Sequence, residues 1–314
     1  MADSKSKSKK GGSKKSVSKS TSKKKTSTEK TETKHTVITT RQSKNADAFF
    51  SKKYEGKETI LSIFDSRKII AVIVAEVLGT MILTMVLLVA SMVTSILPVY
   101  TWIAILGIPL VFMAFSGAHF NPLLTAGMMA SRRMSVSRGI VYIISQLIGA
   151  WFGFMIINAF RMSMGEAATE LPTLEMHDMV WATLFFELIG AIIASFFFAR
   201  AQAYRRSALS YATMVTMGFM TATFIVFCLA QIMAQTDATT GASSTIGFIF
   251  NPAIALVFQA IPIKETFAVI VQAICVYVVV PIVGGIIGFY ISDFLKKMNG
   301  MKLAEEEQPR ELTK

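Results

Sequence analysis

Two Asn-Pro pairs constrain this chain more than anything else in it. One lies in Ser116-Gly117-Ala118-His119-Phe120-Asn121-Pro122-Leu123-Leu124-Thr125, the other in Gly247-Phe248-Ile249-Phe250-Asn251-Pro252-Ala253-Ile254. Both sit inside segments that are apolar for a long way on either side. A proline ends a helix on its N-terminal side and suits the first position of a new one. An asparagine just before it is a natural N-cap. Each stretch therefore reads as irregular backbone feeding a short helix that begins at Asn121 or Asn251. Irregular backbone at bilayer depth is tolerated only where it is buried in protein or lines a watery cavity. Two such breaks, at matching places in two halves of one chain, point to a transport site.

The surrounding sequence has the apolar length this requires. Of 314 residues 53% are hydrophobic and the mean hydropathy is +0.52, too apolar for a soluble protein of this size. Runs of spanning length are expected near 69–92, 97–115, 139–160, 179–199, 209–233 and 266–291. The pieces after Asn121 and Asn251 are too short to cross. The expected fold is an all-α membrane protein with six transmembrane helices and two half-helices.

The charge is confined to one end. Residues 1–57 carry 17 lysines and arginines against five acids, which accounts for the whole net charge of +12. This Lys/Ser-rich segment lacks the large apolar residues needed to bury a core, so a disordered tail is expected. Its lysine clusters could hold anionic lipid, or remain solvated, and its serines and threonines are candidate phosphorylation sites. A nucleic-acid partner is not expected, since no aromatic residue occurs before Phe49. A signal peptide is not expected either, because no apolar segment follows the basic start. The 296–314 segment reads as a second tail. Cys228 and Cys275 stand alone in apolar runs, which gives no metal-site signal and no disulfide framework. No cofactor is expected, and the absence of a nucleophile–base set or a phosphate loop argues against an enzyme.

Arg132, Arg133 and Arg138, then Arg200, Arg205 and Arg206, then Lys296 and Lys297 occupy alternate connections. The other connections hold mainly Glu166, Glu170, Glu175, Asp178 and Asp237. The positive-inside rule predicts cytosolic termini on both sides of the chain. The halves also match each other. Ala75-Glu76-Val77-Leu78-Gly79 is similar to Phe186-Glu187-Leu188-Ile189-Gly190, and Gln146…Gly149-Ala150 to Gly284-Gly285. With three spans per half the second half enters from the opposite side, which makes an inverted repeat. Two half-helix N-termini, meeting near the midplane, would repel cations, and the amides of Asn121 and Asn251 would donate to a passing water.

From about residue 69 to 292 the chain resembles the aquaporins of the major intrinsic protein family. The residues that carry the resemblance are Ala75-Glu76…Gly79-Thr80, Ser116-Gly117-Ala118-His119…Asn121-Pro122, Gln146…Gly149-Ala150, Glu187, Asn251-Pro252-Ala253 and Pro281…Gly284-Gly285. The resemblance implies a homotetramer with one pore per subunit, passing water and small neutral solutes such as urea, ammonia or glycerol. It places the paired motifs Asn121-Pro122-Leu123 and Asn251-Pro252-Ala253 at the pore centre. It implies an acceptor rail from the carbonyls of Gly117, Ala118, His119, Gly247, Phe248 and Ile249. Glu76 and Glu187 become supports for the loops, the alternative being a proton relay in a proton-coupled secondary transporter of a small solute. His119 is likewise a loop support. By the same resemblance the selectivity filter comprises Ile254, Phe248 and Thr101. Two departures stand out: Leu123 replaces the usual alanine, and Ile254 the usual arginine. Leu123 would either narrow the midplane or pack against a neighbour. The aliphatic Ile254 is similar to some plant vacuolar members, which leaves a vacuole-like membrane and the plasma membrane both open.

Overall fold

The computed structural model describes residues 67–92, 97–163, 180–204, 207–236, 248–258 and 267–298. The tail 1–57, most of both acidic connections, Arg205, Arg206, Gly247 and the C-terminal residues beyond 298 lie outside the described residues, as does the side chain of Thr101. Among the described residues there is no strand.

The helices are α1 (Arg67–Met92), α2 (Leu97–Ser116), α3 (Pro122–Ala130), α4 (Val136–Ser163), α5 (Val180–Ala201), α6 (Ala208–Thr236), α7 (Pro252–Val257) and α8 (Phe267–Met298). A 3₁₀ turn, Gln202–Tyr204, follows α5. Five of these helices (α1, α4, α5, α6 and α8) are long and apolar enough to cross a membrane. The sixth expected span, α2, contributes the shorter apolar stretch Trp102–Ser116. Its full 20 residues still reach about 30 Å at the helical rise. Pro109 lies within α2, an interruption that packing inside a helical bundle tolerates. In α8 a single π turn, Cys275–Val279, sits just before Pro281. Proline has no N–H to give to the preceding turn, so the ladder widens there, and Val280 bonds Cys275 O instead.

Matching contacts in the two halves make the inverted repeat visible. Gly149 and Gly153 of α4 lie against α1 so closely that a Cβ would strike the carbonyls of Val77 and Met81. Gly284 and Gly288 of α8 do the same to Leu188 and Ile192 of α5. Small residues four apart allow this approach, because apolar side chains gain little from leaving lipid for each other and close packing must supply the attraction. Each half-helix then crosses over. Leu123 of α3 packs on Gly285 of α8, and Ile254 of α7 packs on Leu88 of α1 and Ile157 of α4. Large apolar side chains such as Ile70, Val74, Trp181, Phe224 and Phe294 remain exposed on the outside, where a bilayer would cover them.

Candidate functional site

The site is the pair of irregular segments before α3 and α7. Gly117, Ala118 and Phe120 have φ of 81°, 51° and 50°, and Phe250 has 50°. For residues with a Cβ this left-handed conformation costs about 1–2 kcal/mol each. It persists only where the surroundings enforce it.

The enforcement comes from a device built twice. On α1, Glu76 Oε1 accepts the His119 N–H at 3.0 Å, and Oε2 the Phe120 N–H at 2.8 Å. Three residues on, and therefore on the same helix face, Gly79 leaves a notch filled by the Phe120 ring. On α5, Glu187 Oε1 accepts the Ile249 N–H at 2.7 Å, and Oε2 the Phe250 N–H at 3.1 Å. Gly190, again three residues on, takes the Phe250 ring. The carboxylate fixes two amides and the notch fixes the ring, so the carbonyl of each phenylalanine has a set direction.

That direction is across the halves. Asn121 Nδ2 donates to Phe250 O at 2.6 Å, and Asn251 Nδ2 donates to Phe120 O at 2.9 Å. The amide oxygens cap their own helices. Asn121 Oδ1 accepts from the Leu123 N–H at 3.0 Å, and Asn251 Oδ1 from the Ala253 N–H at 3.2 Å. An amide nitrogen carries two protons. One is used in each cross-half bond, which leaves the second proton of each asparagine outside these bonds.

The supports differ between halves. Glu76 also receives Gln146 Nε2 at 2.8 Å, and the same nitrogen reaches Thr125 Oγ1 at 3.0 Å. His119 Nδ1 lies 3.2 Å from that hydroxyl. In α8 the position matching Gln146 is Pro281, which has no donor to give.

Several expected site residues sit in packed surroundings. Leu123 is fully buried, its carbonyl and Cβ lying against Gly285 of α8. Ile254, expected at the filter, is also fully buried, in an apolar cluster with Leu88, Ile157 and Phe258. An aliphatic side chain at the third residue of α7 finds apolar neighbours there. Phe248 is half-buried and stacks on Phe250, with centroids 5.2 Å apart. The Gly117 carbonyl, expected in the rail, accepts the Tyr211 hydroxyl at 2.6 Å. Pro122 and Pro252 open their half-helices, and Ala253 is buried beside them. Sequence reasoning missed the roles of Phe120, Phe250 and Tyr211. The twice-repeated Glu-x-x-Gly, together with Phe-Asn-Pro, carried the signal for the first two.

Gly79→Ala is expected to destabilise the protein by about 1–3 kcal/mol, because Phe120 is held at both its amide and its carbonyl and cannot yield. Gly107→Ala, where a new Cβ meets nothing within 4 Å, is the matched control and should be neutral or slightly stabilising. Thermal unfolding in detergent compares the two.

A bundle with two inverted halves and paired Asn-Pro half-helices defines a polytopic membrane protein organised around its midplane. Residues 63–292 match the Major intrinsic protein family, and the chain belongs to that family. It is 40% identical over 60 residues to the glycerol uptake facilitator protein-like 6 of Lactiplantibacillus plantarum, covering 19% of this chain and 28% of that one. It is 34% identical over 77 residues to aquaporin-1 of Ovis aries, covering 24% and 28%. The chain thus spans less than a third of the length of these curated relatives. The X-ray structure of the aquaglyceroporin from Plasmodium falciparum superposes with a TM-score of 0.50 at 18% identity, over 74% of this chain and 97% of that one.

Proposed function

We propose that this protein is a passive membrane channel for water and small neutral solutes such as urea, ammonia and glycerol. The observation that carries the reading is the reciprocal pair of asparagine-to-carbonyl bonds between Asn121 and Phe250 and between Asn251 and Phe120. It fixes two amide donors at one level of the bundle. A molecule passing there exchanges hydration for these donors and for the carbonyls of Ala118, His119, Phe248 and Ile249. No chemical step is involved. The N–H groups at the start of the half-helices favour an oxygen over a cation.

Membership of the major intrinsic protein family supports the same reading, as do relatives named for glycerol uptake and as aquaporins. The basic end of the bundle, with Arg132, Arg133, Arg138, Arg200, Lys296 and Lys297, would face the cytosol with both termini. A homotetramer is the proposed assembly, with the Lys-rich tail on anionic lipid of a vacuole-like or plasma membrane.

The proton-coupled carrier is the second reading, and it needs Glu76 or Glu187 to release protons. Both carboxylates instead spend both oxygens on loop amides. Osmotic shrinkage of proteoliposomes, followed by stopped-flow scattering, separates the readings. A channel accelerates shrinkage over empty liposomes and ignores an imposed pH gradient; uptake that saturates and follows that gradient would reject it.

Ile254→Arg is expected to destabilise the fold by about 3 kcal/mol, the insertion cost of an arginine at the centre of a membrane helix. The Leu88, Ile157 and Phe258 side chains around it offer no acceptor. A melting temperature equal to wild type would show that the guanidinium escapes into the path.

A further inference from the structure

Two tyrosine hydroxyls reach the backbone where it leaves α2. Tyr142, on α4 of the same half, donates to Ser116 O at 2.7 Å. Tyr211, on the first turn of α6 in the other half, donates to Gly117 O at 2.6 Å and is fully buried. Gln202, in the turn joining α5 to α6, donates its Nε2 to the Tyr211 hydroxyl at 3.2 Å. The Phe198 ring stands edge-on to both neighbours, 6.1 Å from Tyr211 and 5.3 Å from His119. His119 and Tyr142 are 4.8 Å apart. These rings form an aromatic collar beside the irregular segment. It lies towards the basic end of the bundle, where Arg133 pairs with Asp293 and donates to Ala199 O at 3.3 Å.

Two of the segment's carbonyls are thereby taken by partners from the opposite half. Phe120 O takes the Asn251 amide at the centre, and Gly117 O takes a phenol nearer the basic end. A phenol O–H on a carbonyl offers what a water would offer, so it competes with water for that acceptor. Its ring is fully buried in the apolar core beside the segment.

We propose that Tyr211 is the rate- and specificity-determining residue of the arm on the basic side, its hydroxyl taking the place of a permeating water on Gly117 O. The inference rests on the passive-channel reading. A molecule entering this arm must displace the hydroxyl. Water does so by exchanging one hydrogen bond for another, whereas a polyol must displace the ring as well.

The test is osmotic shrinkage of proteoliposomes holding the full chain, with an impermeant osmolyte and then with glycerol. Tyr211→Phe keeps the ring and removes the donor, and should raise water flux about fivefold, the rate equivalent of one net hydrogen bond. Tyr211→Ala should in addition allow re-swelling with glycerol. Gln202→Ala frees the hydroxyl from its second partner and should raise flux less, which gives a further reading if a Tyr211 variant fails to fold. Tyr290→Phe removes a hydroxyl from Ala130 O on an exposed face and should leave flux unchanged. If wild type conducts and folded Tyr211→Phe is equal or slower, the hydroxyl only braces Gly117 and the proposal fails alone. If neither wild type nor any Tyr211 variant exceeds empty liposomes, the channel reading fails and takes this one with it.

Discussion

Asn251→Asp is expected to cut osmotic water flux by roughly tenfold or more, equivalent to about 1.4 kcal/mol on the barrier, while leaving α7 capped. Aspartate caps a helix as well as asparagine does, so the bond to the Ala253 N–H survives. What disappears is the donor. The Nδ2 that reaches Phe120 O at 2.9 Å becomes an oxygen facing an oxygen, and the second amide proton is lost too. The new negative charge also sits where two helix N-termini meet, so cation leakage should rise. Stopped-flow shrinkage reads the first effect, and a potential-sensitive dye the second. Water flux at the wild-type level in a folded variant would remove Asn251 from the path. Asn121→Asp should behave in the same way, because the bond from Asn121 to Phe250 O is the counterpart of this one.

Glu187→Leu should be among the most damaging single changes to stability. It leaves the N–H groups of half-buried Ile249 and buried Phe250 without these acceptors. At about 1–3 kcal/mol for each orphaned group, the loss is about 4 kcal/mol. For a chain of this size the melting temperature should fall by about 10 °C. Glu187→Gln keeps one acceptor oxygen and should lose about half as much. Glu76→Leu strands three donors: the amides of His119 and Phe120, and the side chain of Gln146. Gln146 can turn its amide towards Thr125 alone, which limits that extra cost. Equal melting temperatures for Glu187→Leu and wild type would show that the carboxylate does not hold the loop. Any change in pH-driven uptake without a change in stability would revive the carrier.

The helices and their breaks were legible because they depend on neighbours in the chain. Proline after asparagine is a local rule, and it placed the starts of α3 and α7 at Pro122 and Pro252. Apolar length placed the spans, with α2 the one that ran short. The glycines that let α4 approach α1, and α8 approach α5, could be matched between halves because the repeat is written in the sequence.

The centre of the site was legible only in outline. That Asn121 and Asn251 belong together followed from the repeat. That each donates across to the phenylalanine preceding the other did not, since those partners are 129 and 131 residues apart. The left-handed backbone at Phe120 and Phe250 would be avoided by an isolated peptide, and only the carboxylate, the glycine notch and the opposing amide together hold it.

Ile254 shows the converse. Its position in the motif suggested a lining role, and an aliphatic side chain there also packs on whatever apolar surface stands beside it. Which surface that is depends on Leu88 and Ile157, from α1 and α4. Tyr211 had no sequence signal at all, because its partner Gly117 is 94 residues away. The sequence by itself determined a membrane bundle with two inverted halves and two capped half-helices, since hydrophobic length, proline geometry and charge placement act locally. Only the tertiary structure decided which donor meets which acceptor between the halves, because a hydrogen bond is set by distance in space and these partners are far apart in the chain.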